Sequence, residues 1–462
     1  MTNYKQHTSS FRDPSGYIYL EKNIVKRKIN PIYFKTYKAL KDSGFYKYLF
    51  DLGLLIPHSE LVNCKDYIVI QPDQISFITY PYEWSFNQYK EAALLTLELQ
   101  RIALNKGFSL KDASAFNIVY YKGKAIFIDT LSFEIYKENK PWVAYKQFIM
   151  HFLGPLCLAH YNGAGSLKLM SSFIDGIPLQ MLSSMLNFKS KLNPLIYTNI
   201  HLLAKFESKY QEDYNGKSKL KKLSKKSQHN IIDSLYHYIK NLKLKETSEW
   251  GEYYKKINYS TIAFNKKSSL INEWIKSLSI KKLVDIGGND GTFVRKITSQ
   301  INEVLVCDID NNSVDFNFNQ IKQNKERYIL PFVLDVLNPS PNIGFNNKER
   351  FSFIKRITAF APDVTMALAL IHHITLSGNV TFNMSAEFFS SFSKYLIIEF
   401  PTREDSWVQR LLNSKGNCKS HFDFYNIDNF ESDYLVFFDV KDKYIIKDSN
   451  RVLFFLKRKQ FI

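Results

Sequence analysis

Cysteine is scarce in this chain: four residues in 462, scattered at Cys64, Cys157, Cys307 and Cys418. No pair has metal-ligand spacing and no dense disulfide framework can be drawn. A disulfide-stapled scaffold and a zinc module are therefore excluded, and reduced thiols in a cytoplasmic setting are expected. Long apolar runs are missing as well. The longest, Met150 to Ala159, contains Gly154 and Pro155 and falls far short of the ~20 residues that cross a bilayer, so no transmembrane helix is expected. The opening residues, MTNYKQHTSSFRDPSG, have no apolar h-region, so no signal peptide is visible. No repeat of fixed period is found. Acidic residues are outnumbered, 44 against 62 Lys and Arg, for a net charge of +18. That balance favours anionic partners such as nucleotides, acidic glycans, nucleic acid or a membrane surface, and says nothing about fold.

What the chain does have is apolar and aromatic mass. Hydrophobic residues make up 45% and aromatics 15%, with 37 Phe and 29 Tyr, enough for large cores in two or three domains. A lysine-rich stretch, KSKLKKLSKK (217–226), marks the clearest boundary. It reads as a solvated linker or helix face, or else as an anionic docking site. The expected domains are 1–205, a basic linker or helix at 206–244, and 245–462.

The second half alternates strand and helix signals. KKLVDIG (281–287), EVLVCD (303–308), YILPFV (328–333), DVTMALAL (363–370) and KYLIIEF (394–400) read as buried strands, with Gly291 to Ile301 helical. YLVFFDV (434–440) and RVLFFLK (451–457) read as a closing hairpin. Strands alternating with helices imply a parallel sheet covered on both faces, here with an antiparallel edge. The first half reads as α+β. Tyr17–Arg27 and Tyr67–Tyr80 are β-like, Pro31–Leu55 is helical with breaks at Gly44 and Gly53, and Lys90–Leu104 is an apolar helix. IVYY and AIFID form a hairpin around Lys122-Gly123, and helices follow to Phe206.

Between the first strand of the second half and its helix lies Val284-Asp285-Ile286-Gly287-Gly288-Asn289-Asp290-Gly291. Gly287 permits a sharp turn and close approach of a ligand to the backbone, and Gly291 lets the helix start near the sheet. A helix placed here presents N–H groups to polar ligand atoms. The dinucleotide fingerprint G-x-G-x-x-G fails, because Asn289 stands at its third position. An acidic strand end followed by G-x-x-x-G instead resembles motif I of class I S-adenosylmethionine (SAM)-dependent methyltransferases, with Asn289 at the middle glycine. The resemblance covers about 250–462 and implies a seven-stranded Rossmann-like sheet. It implies a SAM site of Asp285, Gly287, Asn289 and Gly291. To these it adds Asp308, whose carboxylate accepts both ribose hydroxyls (Asp310 being a substitute), and Asp335 at the adenine amino group.

His372 and His373 follow the fourth strand, where the fold presents the sulfonium methyl. Imidazole titrates near neutrality, so one of the two, and at most one, is expected in the cleft as a general base. A histidine held structurally is the equal alternative. Glu399 ends the fifth strand, and Arg403, Glu404 and Asp405 follow it; they read as lining the same rim or as solvated loop charges. Asn338-Pro339-Ser340-Pro341 reads as a substrate wall or a strand stop. Trp250, Tyr253, Tyr254 and Tyr259 read as a cofactor lid or as core.

The first half carries a second pattern. Asp112, Asn117 five residues on, and Asp129 beyond the hairpin form the order in which kinase-type sites orient the acceptor, bind metal, and bridge metal to phosphates. This resembles the catalytic loop of aminoglycoside phosphotransferase-like kinases. It departs in having Leu110 where their His stands and in lacking a Gly-rich phosphate loop; Lys26 or Arg27 would supply the phosphate-binding cation. The resemblance implies ATP and Mg at Asn117 and Asp129. The alternative makes the three residues turn caps, with Lys111 or another basic residue neutralising the carboxylates. PYEWSF, LKDASAFN, FIDTLSFE and PW-x-AY-x-QF ahead of a methyltransferase half resemble a bacterial family of SAM-dependent methyltransferases of the nodulation, host-specificity type.

The expectation is thus a cytoplasmic two-domain SAM-dependent methyltransferase. It would O-methylate a sugar, a glycan intermediate or a related small molecule. The alternatives are a bifunctional kinase–methyltransferase, an RNA methyltransferase, and a non-catalytic regulator that only senses SAM. Nucleic acid is not the expected partner, since the basic run is local and no RNA-binding module is present.

Overall fold

The computed structural model describes residues 5–212, 222–244, 261–447 and 449–460. The chain divides into two units, Met1–Glu246 together with Asn342–Phe351, and Thr247–Pro341 together with Ser352–Ile462.

In the first unit, β1 (Gly16–Glu21) and β2 (Ile24–Ile29) form a hairpin. Its turn residues Lys22 and Asn23 both have positive φ, 50° and 64°, the geometry that matches the right-handed twist of a two-residue hairpin. The sequence reading took this segment as one β-like run. With β3 (His58–Asn63) and β4 (Ile68–Pro72) the hairpin makes an antiparallel sheet of order β1-β2-β4-β3. Helices Phe34–Asp42 and Phe45–Asp51 sit between β2 and β3 and part at Gly44, whose φ is 71°.

The long apolar helix runs from Phe86 to Asn105. It starts four residues earlier than expected because Ser85 and Gln88 form a capping box, each side chain accepting from the other's backbone N–H. After it, β5 (Phe108–Leu110) pairs with β8 (Phe133–Ile135), and β6 (Ile118–Tyr121) pairs with β7 (Lys124–Phe127) around Lys122-Gly123. These two ribbons bracket Asp112, Asn117 and Asp129. The helix Lys225–Asn241 belongs to this unit, and Lys90 Nζ donates to Leu242 O beyond its end at 2.9 Å. Of the lysine-rich run, Lys217, Lys219 and Lys221 lie outside the described residues; Lys222 and Lys226 are exposed. Asn342–Phe351 joins the unit through buried Glu349, gripped by Arg12 Nε and Nη2 at 2.7 and 3.1 Å, and through Tyr80 Oη, which accepts from Phe351 N at 3.1 Å.

The second unit is a sheet of order β11-β10-β9-β12-β13-β15-β14. Its parallel members are β9 (Lys282–Ile286), β10 (Glu303–Asp308), β11 (Ile329–Val333), β12 (Val364–Ala367) and β13 (Tyr395–Pro401). The antiparallel edge is β14 (Phe438–Ile446) and β15 (Arg451–Arg458). Central strands are buried along nearly their whole length, as in a sheet covered on both faces. Leu283, Val306, Met366, Ile397 and Leu453 belong to one core.

Three expected elements differ. Residues 434–437, read as strand, close the helix Ile427–Phe437; Asn426 caps it, and Phe430 and Tyr434, one turn apart, are both buried. Helical spacing of the buried aromatics overrides the β propensity of the run. The helix after the glycine turn is only Thr292–Lys296, and the fourth strand stops at Ala367, before Ala369 turns to a φ of 51°. Among the described residues no helix is long and apolar enough to cross a membrane.

Candidate functional site

The strand order reverses at β9, which pairs with β10 on one side and β12 on the other, and a crevice opens at the carboxyl ends of such strands. A cavity of about 280 Å³ lies there. Its lining comes from the residues that follow β9 (Gly287–Asn289), β10 (Asp308, Ile309), β11 (Leu334–Leu337) and β12 (Leu368–Leu370, His373).

The glycine turn is wired to its neighbours. Gly287 N and Gly288 N donate to Cys307 O at 2.8 and 3.1 Å, and Asn289 N donates to Asp308 Oδ2 at 3.0 Å. Asp290 N, Gly291 N and Thr292 N donate to Asn289 Oδ1, Gly288 O and Asp290 Oδ1. Every backbone N–H from Gly287 to Thr292 is thus used inside the protein. The turn offers no cradle for phosphate, which corrects the expectation that its N–H groups face a ligand. Asn289 occupies the left-handed region (φ 48°), which asparagine tolerates better than other side-chain-bearing residues. Gly288 has no side chain because a Cβ would lie 2.7 Å from Asp285 Oδ2.

Carboxylates dominate the polar wall. Asp285 is buried, its Oδ1 has no hydrogen-bond partner, and burial pushes it up to about 7, with Lys267 opposing the rise and Asp308 and Asp290 adding to it. Burial raises Asp308 to about 6, held back by N–H bonds from Asp310 and Asn289. Asp310 is not a substitute for it, because its carboxylate caps the helix Asn311–Asn324. Asp335 is half-buried and accepts from Leu337 N at 3.1 Å. The rest of the lining is largely apolar and includes Ile309 and Leu337, which are 58% and 47% exposed.

Of the histidines, His373 lines the cavity and His372 does not. Burial and the nearby Arg451 push His373 down to about 4, so its imidazole is neutral at physiological pH. His372 is 2% exposed, with an unpartnered Nδ1 and a pKa pushed far down by burial.

Two expected site residues lie elsewhere. Gly291 is not in the lining: it is the N-cap of Thr292–Lys296 at a φ of 74°, where a Cβ would strike Arg295 and Asn317. Glu399 is not on the rim. It is fully buried beneath the site, 2.6 Å from Lys267 Nζ and 3.7 Å from Arg451, and Arg451 in turn holds Asp405 at 2.8 Å. Asp405 also caps the helix Ser406–Ser414, Arg403 pairs with Asp423, and neither they nor Glu404 belong to the cavity lining. Asn338–Pro341 stands outside the lining; Ser340 braces Phe353 and Arg356. Trp250, Tyr253, Tyr254 and Tyr259 lie outside the described residues.

Sequence reasoning missed Lys267, which lines the cavity with its ammonium over Phe293 (Nζ 4.4 Å from the ring centroid). It sits mid-helix with no motif around it. Ile309 was findable, as an apolar residue directly after the strand-end Asp308.

In the first unit the structure brings Asp112, Asn117 and Asp129 together. Asp112 Oδ1 accepts from Gln147 and Ser114 N at 2.7 and 3.0 Å; burial and then Asp129 raise its pKa, while Asn117 opposes. Asp129 is engaged by Arg27, by the Ser132 hydroxyl and by Leu131 N. Burial opposes its charge, yet Arg27 and these donors hold it below the ordinary carboxylate value. Arg27, one of the two residues expected to supply the phosphate-binding cation, is the one that reaches Asp129. Lys111 turns instead to Asp13 and Ser15. Among the described residues no cluster of three or more His, Cys, Asp or Glu has metal-binding geometry.

No protein-family model matches the chain. It is similar to the nodulation protein NoeA of Rhizobium meliloti (strain 1021), 28% identical over 464 residues, covering 98% of this chain and 96% of that protein. Among solved structures it is similar to the N-methyltransferase NodS from Bradyrhizobium japonicum WM9 in complex with S-adenosyl-L-homocysteine, with 8% identity, 46% of this chain, 100% of that one and a TM-score of 0.32. It is also similar to magnesium protoporphyrin IX methyltransferase (ChlM) from Synechocystis PCC 6803 with bound SAH, with 11% identity, 43% and 84% coverage and a TM-score of 0.32.

Proposed function

We propose that the second unit is a SAM-dependent methyltransferase. The observation that carries this reading is the charge of the site at the switch point. The turn has no free N–H for phosphate, three carboxylates face the cavity, and its one lysine is already paired with Glu399. Such a cavity disfavours a dinucleotide and favours a cationic ligand carrying hydroxyls and a flat ring. SAM has those features, and it would supply an electrophilic methyl group.

Each lining residue then has a task. Asp308, positioned by Asn289 N and Asp310 N, keeps lone pairs for both ribose hydroxyls. Ile309 and Leu337 flank the adenine, with Asp335 near its amino group. Asp285 faces the cationic end. Neutral His373 accepts the proton of the attacking hydroxyl, while His372 supports it from below. Positioning supplies most of the rate and the base a smaller part.

We infer that the acceptor is a hydroxyl on a sugar, a glycan intermediate or a related small molecule. The net charge of +18 favours a phosphorylated or nucleotide-linked form of it. The first unit is read as a kinase-like scaffold, on the grounds that Asp112, Asn117 and Asp129 converge in the kinase order. Arg27 on Asp129 favours a structural role over phosphotransfer, so the bifunctional alternative ranks second and RNA methylation third.

Calorimetry on the full chain tests the cofactor. SAM should bind, and Asp308→Ala should weaken it at least tenfold, about 1.4 kcal/mol. A folded protein that binds neither SAM nor SAH would sink the proposal. Mass spectrometry of glycans and small molecules from wild-type and deletion cells identifies the acceptor, and a steep salt dependence of RNA binding would promote the third reading.

A further inference from the structure

Beneath the cavity runs a chain of four buried charges that the proposed reaction leaves unused. Asp405 and Arg451 meet at 2.8 Å, Arg451 and Glu399 at 3.7 Å, and Glu399 and Lys267 at 2.6 Å. The side chains of Glu399, Lys267 and Arg451 are no more than 2% exposed. Buried ions are costly to take out of water even when paired, and well-packed apolar replacements of such pairs are often neutral or stabilising. Stability alone therefore does not account for the chain. Its upper end, Lys267, lines the same cavity as Asp285, and Asp285 Oδ1 is buried with no hydrogen-bond partner.

We propose that Lys267 is a positioning residue that favours the ionised form of the Asp285 carboxylate at the cavity, with Asp405, Arg451 and Glu399 fixing the ammonium in place. The proposal rests on the SAM reading for its purpose, since an ionised Asp285 is what the cationic end of that ligand needs. The groups facing Asp285 support it. Lys282 of its own strand is engaged with Phe360 O at 3.0 Å. Asp308 from β10 and Asp290 from the turn both oppose its ionisation. Lys267, from the helix Thr261–Lys276, is the favourable charge. Arg451 of β15 and Glu399 of β13 act through Lys267, and the histidines after β12 are held neutral. Arg295, the cation of the next helix, is committed to Glu326 and Asn317. Without Lys267, burial beside two other carboxylates would leave Asp285 protonated at neutral pH.

The test uses the full chain with 13C-labelled aspartate. The Asp285 carboxyl signal, assigned with Asp285→Asn, is titrated without ligand, and SAM and SAH affinities are measured by calorimetry from pH 6 to pH 9. Lys267→Met should raise the Asp285 midpoint by about one pH unit or more. It should weaken SAM at least tenfold at pH 7 and restore most of that affinity at pH 9, whereas Lys267→Arg should keep the wild-type midpoint. Lys267→Met with Glu399→Gln removes both charges together and replaces the single variant if that one does not fold. An unmoved midpoint, or a loss of SAM affinity equal at every pH, overturns the proposal. If the midpoint moves but the wild-type chain binds neither SAM nor SAH, the positioning stands and the cofactor reading falls.

Discussion

Gly288→Ala is the sharpest steric test of the site. The glycine is not in the left-handed region, so alanine meets no backbone penalty there. Its Cβ would lie 2.7 Å from Asp285 Oδ2, 2.8 Å from Asp285 Cγ and 2.8 Å from Val306 Cγ1. Carbon atoms at rest sit roughly 3.5–4.0 Å apart, so about 0.7 Å or more must be found, and the buried carboxylate is the group with room on its cavity side. Overpacking of this kind costs about 1–3 kcal/mol. At roughly 2–4 °C per kcal/mol for a unit of this size, Tm should fall by roughly 2–12 °C. Because Asp285 is pushed into the cavity, SAM affinity should drop at least tenfold, about 1.4 kcal/mol. Val306→Ala in the same background removes one of the two overlaps, and should recover part of the Tm without recovering affinity. Differential scanning fluorimetry and calorimetry on the three proteins decide it. A Gly288→Ala protein with wild-type Tm and wild-type affinity would refute both the crowding argument and the placement of Asp285 at the ligand.

The other predictions concern charge. His373→Ala should lower turnover by about 10²–10⁴-fold with SAM affinity retained, whereas His372→Ala should chiefly lower Tm; equal turnover losses in the two variants would contradict the assignment. Asp129→Asn strands Arg27 in a mostly buried position and should cost about 3–5 kcal/mol, with Arg27→Met in the same chain recovering much of it. Magnesium at millimolar concentration should leave the wild-type melting profile unchanged, and a magnesium-dependent rise lost in Asp129→Asn would restore the metal reading. Asp285, raised to about 7, binds its proton more tightly in the folded than in the unfolded chain. Its contribution to stability is full below about pH 4 and is lost as pH rises toward 7. Asp285→Asn should therefore gain on wild type between pH 5 and pH 8 in unliganded melts. A constant difference would remove Asp285 as the cause.

Much of the secondary structure was legible because its signals are local. Lys122-Gly123 announces its hairpin, and the buried strands of the second unit are short apolar runs bounded by turns; the apolar stretch from Lys90 marked its helix, though not the start at Phe86 that Ser85 and Gln88 set. The ends of such runs were less secure. In 434–437 aromatic residues serve strand and helix alike, and the decision lay with what Phe430 and Tyr434 pack against, including the Phe454 ring 5.1 Å from Phe430.

By itself, the sequence determined the order of parts: an α+β first half, an alternating second half, and a turn with acids at the ends of consecutive strands. Those features follow from periodicity and from backbone demands felt within a few residues. Only the tertiary structure decided which charges meet. Arg27 finds Asp129 across 102 positions and Lys267 finds Glu399 across 132. Nothing local marks either pair, because ions leave water together only when folding has brought both to the same buried place. The same holds for His372 and His373: adjacent in sequence and alike in chemistry, they were separated by the turn after β12, which set one at the cavity and one in the core.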